Sequence, residues 1–324
     1  MTIGATGTEL AHHIADLVRQ MIAEIRPRLI DAALTGHRAE NENVRHSDNF
    51  LSDYDLWMHR RYKELLAQRI PSFVYASEEA DPEVIGPDSD PDLCVLVDPL
   101  DTSELAVRGL YGYTHVMIYS RALARPVAAV VGDIFHHIQI YLAAMDEAGN
   151  DRALMITADG AQHALDRPSQ ASLPDALVTN YLMRPAQRFQ PLAGQQEFLK
   201  ALSVPAGNGK ANGRIGVDFG SIGLCHVAAG FSDAMIEFAK GFAIWDLSPG
   251  HYILHAAGGI VTDLDGRDIP LDYSLNSLSD INKAMNQRQK FIAAGNRNLA
   301  REIQSTLSPF HPSVRVVGPL SGQP

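Results

Sequence analysis

The sequence predicts an α+β fold in two parts, residues 1–170 and 171–324. Three observations carry that expectation. Apolar residues recur at three- and four-residue spacing near the start, short β-branched runs crowd positions 93–144, and strand and helix patterns alternate beyond a loop-rich seam at 165–175.

Leu10, Ile14, Leu17, Met21, Ile25 and Leu29 line one face of a helix over 8–34, where Pro27 marks a kink or a junction. Residues 36–49 are polar and read as a loop. Leu56, Tyr62, Leu65 and Leu66 share a face over 55–68, a second helix that ends before Pro71. The period then changes. LCVLVD at 93–98 is a short apolar strand ending in a carboxylate. THVMIYS at 114–120, PVAAVVGDI at 126–134 and HIQIYLAA at 137–144 follow as strands, with Gly132-Asp133 and Gly149-Asn150 as turns. Beyond the seam, 176–180, 233–238 and 291–295 read as strands. Helices are expected at 195–202, at 220–230, at 246–259 with closing glycines, and after 295. VPAGNGKANG at 204–213 lacks the glycine spacing of a phosphate-binding loop and reads as a solvated loop. No internal repeat is visible.

The chain has 324 residues, 46% of them hydrophobic, which supplies a sizeable core and excludes wholesale disorder. A formal net charge of −11 argues against a nucleic-acid polymer as partner. It leaves room for a small phosphorylated ligand, because a metal ion can supply the positive charge. Cys94 and Cys225 have no metal or redox spacing and read as buried thiols, which suits a reducing cytoplasm. No secretory leader pattern opens the sequence, and no apolar run approaches the ~18 residues of a membrane span. A cytoplasmic protein with no membrane partner is expected.

Acidic groups gather among apolar or small neighbours at Asp53/Asp55, Glu78/Glu79, Asp98/Asp101 and Asp246. Burying a carboxylate is costly unless it is paired or holds a metal. Asp98 directly follows a buried run, Asp101 comes one turn later, and Pro99 stiffens the turn between them. The two carboxylates then converge, and Glu78 can reach the same strand end. Several carboxylate oxygens on one point suit a hard divalent cation, Mg²⁺ above all. Cysteine and histidine ligands are absent from this set, which disfavours zinc. A Mg²⁺ site in an acidic protein points to phosphate chemistry. The plain alternative is strand-end aspartates that cap loops or helices, and spacing alone leaves both open.

At this point the motifs resemble the inositol monophosphatase family of Mg²⁺-dependent, lithium-sensitive phosphatases, whose relatives include fructose-1,6-bisphosphatase and bisphosphate nucleotidases. The family's central D-P-[IL]-D-G-[ST] is similar to Asp98-Pro99-Leu100-Asp101-Thr102-Ser103. G-E-E-S is similar to Ser77-Glu78-Glu79-Ala80, and W-D-x-A-A-G to Trp245-Asp246-Leu247-Ser248-Pro249-Gly250. The acidic element before a helix is similar to Ser52-Asp53-Tyr54-Asp55, and the later glycine pair to Gly258-Gly259. The resemblance covers about residues 10–305 and implies a layered α-β-α-β-α sandwich of the sugar-phosphatase type.

It also implies roles. Glu78, Asp98, the Leu100 carbonyl, Asp101 and Asp246 match metal ligands for two or three Mg²⁺ ions. Asp55 and Ser103 match the pair that activates water, with Glu78 beside them. The amides of Thr102 and Ser103 would face the phosphate. Asp101, Thr102, Ser103, Glu104, Ser221 and Glu237 fall where the family contacts its substrate. Most metal ligands then lie in the 1–170 domain, and Asp246 and further substrate contacts in the 171–324 domain. A homodimer is implied as well.

The implied function is a Mg²⁺-dependent phosphomonoesterase for a small sugar, cyclitol or nucleotide phosphate. Alternatives are a bisphosphate nucleotidase or fructose bisphosphatase, and a non-catalytic relative that binds a phosphorylated ligand. Thr102 replaces the motif's glycine, which is strained if the backbone there has φ > 0. Glu104 adds a negative charge that suits a cationic or hydroxyl-rich substrate, Ser77 replaces a glycine, and Pro249 sits near a helix start. The stretch between Glu237 and Asp246 is longer than usual. Among other residues, His251 and His255 lack the glutamate of a zinc motif and read as structural or surface groups. His12-His13 and His136-His137 carry no signal of function. Trp245 reads as packing that positions Asp246. Lys240 and Arg108 read equally as ligand contacts or surface groups.

Overall fold

The computed structural model describes residues 7–43, 45, 49–166, 168–205 and 209–308. Positions 44, 46–48 and 206–208 of the two expected loops, and the first six residues, lie outside the described residues.

Helix α1 (Gly7–Thr35) continues past Pro27 as one element, so the proline marks no junction. A proline there removes one backbone bond, at about 3 kcal/mol. The buried face from Ala11 to Ala32 outweighs that, since each fully buried aliphatic side chain contributes about 1.5–3 kcal/mol. Strands β1 (Glu40–Asn41) and β2 (Leu51–Ser52) pair antiparallel. Helix α2 (Asp53–Ala67) starts two residues before the expected Asp55, because Ser52 caps it. The Ser52 hydroxyl accepts from the Tyr54 N–H, and Asp55 at the third helical position accepts from the Ser52 N–H.

The first sheet holds β3 (Phe73–Ser77), β4 (Glu83–Ile85), β5 (Leu93–Asp101), β6 (Tyr113–Ser120), β7 (Arg125–Asp133), β8 (Ile138–Met145), β9 (Asp151–Thr157) and β10 (Gln162–Ala164). The short helix α3 (Ser103–Ala106) follows β5. The order is β10-β9-β8-β7-β6-β5-β3-β4. Only β3 and β5 run parallel within it among the described residues, with Ser77 beside Val97. That register sets Glu78 level with Asp98.

The later part comprises β11 (Leu177–Asn180), α4 (Gln190–Ala193), α5 (Gln196–Leu202), β12 (Arg214–Val217), α6 (Gly220–Ala228), β13 (Ala234–Phe242), α7 (Ile244–Ala256), β14 (Ile260–Thr262), α8 (Leu278–Met285), β15 (Gln289–Ala294) and α9 (Arg297–Thr306). Its five-stranded mixed sheet has the order β12-β11-β13-β15-β14.

Helices α1 and α2 cover one face of the first sheet. Helices α6 and α7 fill the space between the sheets, and α5 and α9 cover the far face of the second. The result is an α+β fold layered α-β-α-β-α. Because α6 and α7 are buried on nearly every side, their sequences are apolar all round.

Pro249 lies in the middle of α7 and not at its first turn. Beside it, the Ser221 hydroxyl enters the helix ladder. It accepts from the Gly250 N–H at 2.9 Å and donates to the Asp246 carbonyl at 2.7 Å, bridging the two ends of one helical turn. A Cβ on Gly250 would stand 2.4 Å from the Ser221 carbonyl oxygen, so glycine lets the two helices meet.

Candidate active site

The C-terminal ends of β3 and β5 and the first turn of α7 meet at one cleft of about 830 Å³, counting the space open to solvent. Glu78, Glu79, Leu100, Asp101 and Asp246 line it. Asp98 lies buried at its base and faces His115, its partner in the β5–β6 register. Ligand atoms from Asp98, Asp101, His115 and Asp246 all lie within 4.8 Å of one another. Sequence reasoning expected no histidine in this set, and the strand register corrects that. A histidine in the otherwise apolar run at 114–120 was the available signal.

Neither Asp98 oxygen has a hydrogen-bond donor, and Asp101 Oδ2 is likewise buried without one. Burial, then mutual repulsion, pushes the Glu78, Asp98 and Asp101 carboxyls well above the usual range. Burial also raises Asp246, although Arg288 and Arg188 oppose it. Burial raises Glu79 to about 8, with repulsion from Asp55 adding to it. His115 is pushed down to about 3 by burial, so its imidazole is neutral. Buried acids without donors are expensive to ionise unless a cation joins them. The donor set therefore fits divalent metal.

The capping box of α2 aims Asp55. Its Oδ2 accepts from the Ser52 amide at 2.8 Å and the Ser52 hydroxyl at 2.6 Å. That leaves Oδ1 to accept a short hydrogen bond from the Ser103 hydroxyl. Ser103 Oγ also lies 2.7 Å from the Leu100 carbonyl. Burial raises Asp55 to about 6, and these hydrogen bonds hold it from going higher. Thr102 stands in the left-handed region at φ 62°, ψ 36°, as the cap of α3. Its hydroxyl donates to the Asp101 carbonyl at 2.6 Å. Ser77, in place of glycine, lies 2.9 Å from His59 Nδ1 and accepts from the Glu79 amide.

Thr102, Ser103 and Glu104 line the cleft, and Ser221 and Glu237 are buried behind it. Glu104 is paired with Arg108 at 3.0 Å on the α3 surface. Glu237 Oε1 accepts from the amides of Ala239, Lys240 and Gly241. Those bonds hold a bulge in β13, which is why the sequence between Glu237 and Asp246 is long. The bulge presents Lys240 to the cleft. The other Glu237 oxygen pairs with Arg188, whose guanidinium lies 4.2 Å from the Tyr181 ring.

Arg184, Arg188, Lys240 and Arg288 line the wall facing the carboxylates. Burial lowers Arg188 to about 10, and repulsion from Arg184 and Arg288 adds to that. Of this wall, sequence reasoning had singled out Lys240 alone. Arg184 and Arg288 sit on loops and Arg188 on a π-helical turn, Pro185–Phe189, and their approach depends on long-range packing. Arg288 stacks over buried Trp245 at 5.4 Å. His251 is buried and 2.7 Å from the Tyr273 hydroxyl, and His255 is half exposed near Asp151. Both cysteines are buried and unbridged.

Residues 8–307 match the sequence profile of the inositol monophosphatase family. The chain is 25% identical over 256 residues to the inositol-1-monophosphatase ImpA of Mycolicibacterium smegmatis, covering 75% of this chain and 82% of that one. Over a shorter stretch of 61 residues it is 44% identical to the bifunctional NADP phosphatase/NAD kinase of Methanococcus maripaludis. That match takes in 18% of this chain and only 11% of that relative's length. In structure it is similar to the extragenic suppressor protein SuhB of Bartonella henselae, with TM-score 0.62 and 18% identity, covering 92% of this chain and 97% of that one.

Proposed function

The chain belongs to the inositol monophosphatase family and is a phosphatase at family level; from that premise we propose that it is a Mg²⁺-dependent phosphomonoesterase acting on a small phosphorylated metabolite. The observation that carries the reading is the convergence of Asp98, Asp101 and Asp246, whose ligand atoms lie within 4.8 Å of one another, with Asp98 and Asp101 oxygens buried without a donor. Glu78, Asp98, the Leu100 carbonyl, Asp101 and Asp246 would hold two or three ions. Divalent metal bound there supplies charge neutralisation on the phosphoryl oxygens and a water acidic enough to attack at neutral pH.

The protein's own groups do the rest. Asp55 Oδ1 and Ser103 Oγ form a relay that takes the attacking water's proton, and Ser52 fixes the relay's direction. The amides of Thr102 and Ser103 face the phosphoryl group. Ser221 acts behind the cleft by fixing Asp246, and Glu237 acts by holding Arg188 and the bulge that carries Lys240.

For the substrate, the cationic wall favours a phosphate ester with a second anionic group over an uncharged cyclitol phosphate. Mutually repelling cations are relieved by an anion between them. One relative is named for NADP, a polyanionic ester, and another for inositol 1-monophosphate. Glu104, neutralised by Arg108, does not oppose an anion. A homodimer is part of the same proposal, checked by sedimentation.

The test is phosphate release from a panel of nucleotides, sugar bisphosphates and inositol phosphates with and without Mg²⁺. Release from bisphosphorylated or nucleotide esters at higher kcat/KM than from inositol 1-phosphate supports the reading. Ligand-induced thermal stabilisation across the panel with no phosphate released would instead mark a non-catalytic binder.

A further inference from the structure

We propose that His115 is a direct ligand to one of the divalent ions and biases that position toward a first-row transition cation such as Mn²⁺ over Mg²⁺, an inference that rests on the metal-site reading above.

The His115 side chain is fully buried, and neither ring nitrogen makes a hydrogen bond of good geometry, although the Trp245 backbone lies near enough to favour a proton on one of them and so leaves the other to a metal. A buried polar group left without a good partner is costly. Nδ1 lies 3.8 Å from Asp98 Oδ2, and Nε2 lies 3.5 Å from Asp101 Oδ2. Both separations are too long for good hydrogen bonds. Only one ring nitrogen can face a given ion, because the two lone pairs diverge. The shorter pair, Nε2 with Asp101 Oδ2, suits two donors on one ion, since adjacent ligands of an octahedral ion with bonds near 2.1 Å stand roughly 3 Å apart and opposite ones roughly 4.2 Å.

The fold also makes room for the ring. A Cβ on Gly220, whose φ is +28°, would stand 2.9 Å from His115 Cε1 and 2.2 Å from Asp101 Oδ2. Glycine at the first position of α6 therefore lets the imidazole and the Asp101 carboxylate occupy the same small space. Carboxylates and carbonyls suit Mg²⁺ and Mn²⁺ alike, whereas an imidazole nitrogen suits first-row transition ions. A mixed site of carboxylates and one imidazole therefore disfavours Mg²⁺, and Mn²⁺ is the transition ion most at home with its oxygen donors.

The experiment uses Mn²⁺ itself as the probe. Mn²⁺ is added to full-length wild type, His115→Gln and His115→Asn. Pulsed electron paramagnetic resonance then reads nitrogen coupling, and competition with Mg²⁺ reads preference. The expected result is ¹⁴N modulation of bound Mn²⁺ in the wild type that disappears in folded His115→Gln. The Mn²⁺-over-Mg²⁺ preference should fall on the order of tenfold or more. Bound Mn²⁺ without nitrogen modulation in the wild type overturns the His115 assignment and leaves the metal-site reading standing. Wild type that takes up no Mn²⁺ or Mg²⁺ overturns both. If both variants fail to fold, the wild-type spectrum still decides, because absence of modulation there contradicts the assignment.

Discussion

Thr102 is where the chain accepts strain at its reacting centre. A β-branched residue at φ 62° costs on the order of 1–3 kcal/mol, offset in part by its hydroxyl bond to Asp101. Thr102→Gly should therefore raise stability by about 1 kcal/mol in urea denaturation. A loss would mean that the hydroxyl bond outweighs the strain. Asp55→Asn keeps an acceptor for the helix cap but removes the proton acceptor behind Ser103. Its kcat should fall by about 10²–10⁴-fold while metal affinity, read by calorimetry, stays near wild type. Unchanged kcat would remove Asp55 from the chemistry.

His251 supplies a pH prediction of definite sign. Burial holds it at about 3 against the ordinary 6.5, so the folded state binds fewer protons than the unfolded state below pH 6.5. Its contribution to stability is full above pH 6.5 and is lost as pH falls toward 3. Between pH 7.5 and 5.5 the loss is about 1.4 kcal/mol. His251→Asn places an amide where Nδ1 stood, retains a partner for Tyr273 and should lose that much less over the same interval, both proteins being held in the same metal state. Equal losses would show that His251 does not titrate on unfolding.

The elements set how much the sequence discloses. Asp98 and Asp101 flank one turn after an apolar run, so their convergence could be read there, whereas the Leu100 carbonyl and Ser103 were reached only through the family resemblance. Glu78 needed β3, which stayed hidden because FVYAS is five residues long, buried throughout and without alternation. His115 depends on the β5–β6 register and Arg188 on the π-helical turn at Pro185–Phe189, neither of which has a local pattern. Ser221 shows what an element can hide: it bridges the Asp246 carbonyl and the Gly250 amide of α7 from a neighbouring helix. Ser221→Ala leaves the Gly250 amide and the Asp246 carbonyl without that bridge. It should cost about 1–3 kcal/mol and weaken Mg²⁺ binding together. A stability loss with metal affinity intact would separate Ser221 from the site.

At the scale of the whole molecule, two sheets and the helices between them press acids from β3, β5 and α7 into one buried cluster in a chain of net charge −11. The arginine-rich wall closes the cleft from the second sheet's side. This arrangement concentrates like charges, so bound metal should stabilise the fold. Chelation at neutral pH should lower the melting midpoint, and excess Mg²⁺ should restore it, because a ligand that binds only the folded state stabilises it by mass action. No helix among the described residues is long and apolar enough to cross a membrane.

The most direct measurement is a Mg²⁺ titration of phosphate release, using the best panel substrate, in wild type and folded Asp98→Asn. The account predicts turnover that is absent without metal, rises saturably with Mg²⁺ in the wild type, and drops by at least ~10²-fold in Asp98→Asn at every Mg²⁺ concentration. Metal-independent turnover, or an Asp98→Asn protein as active as the wild type, would contradict it.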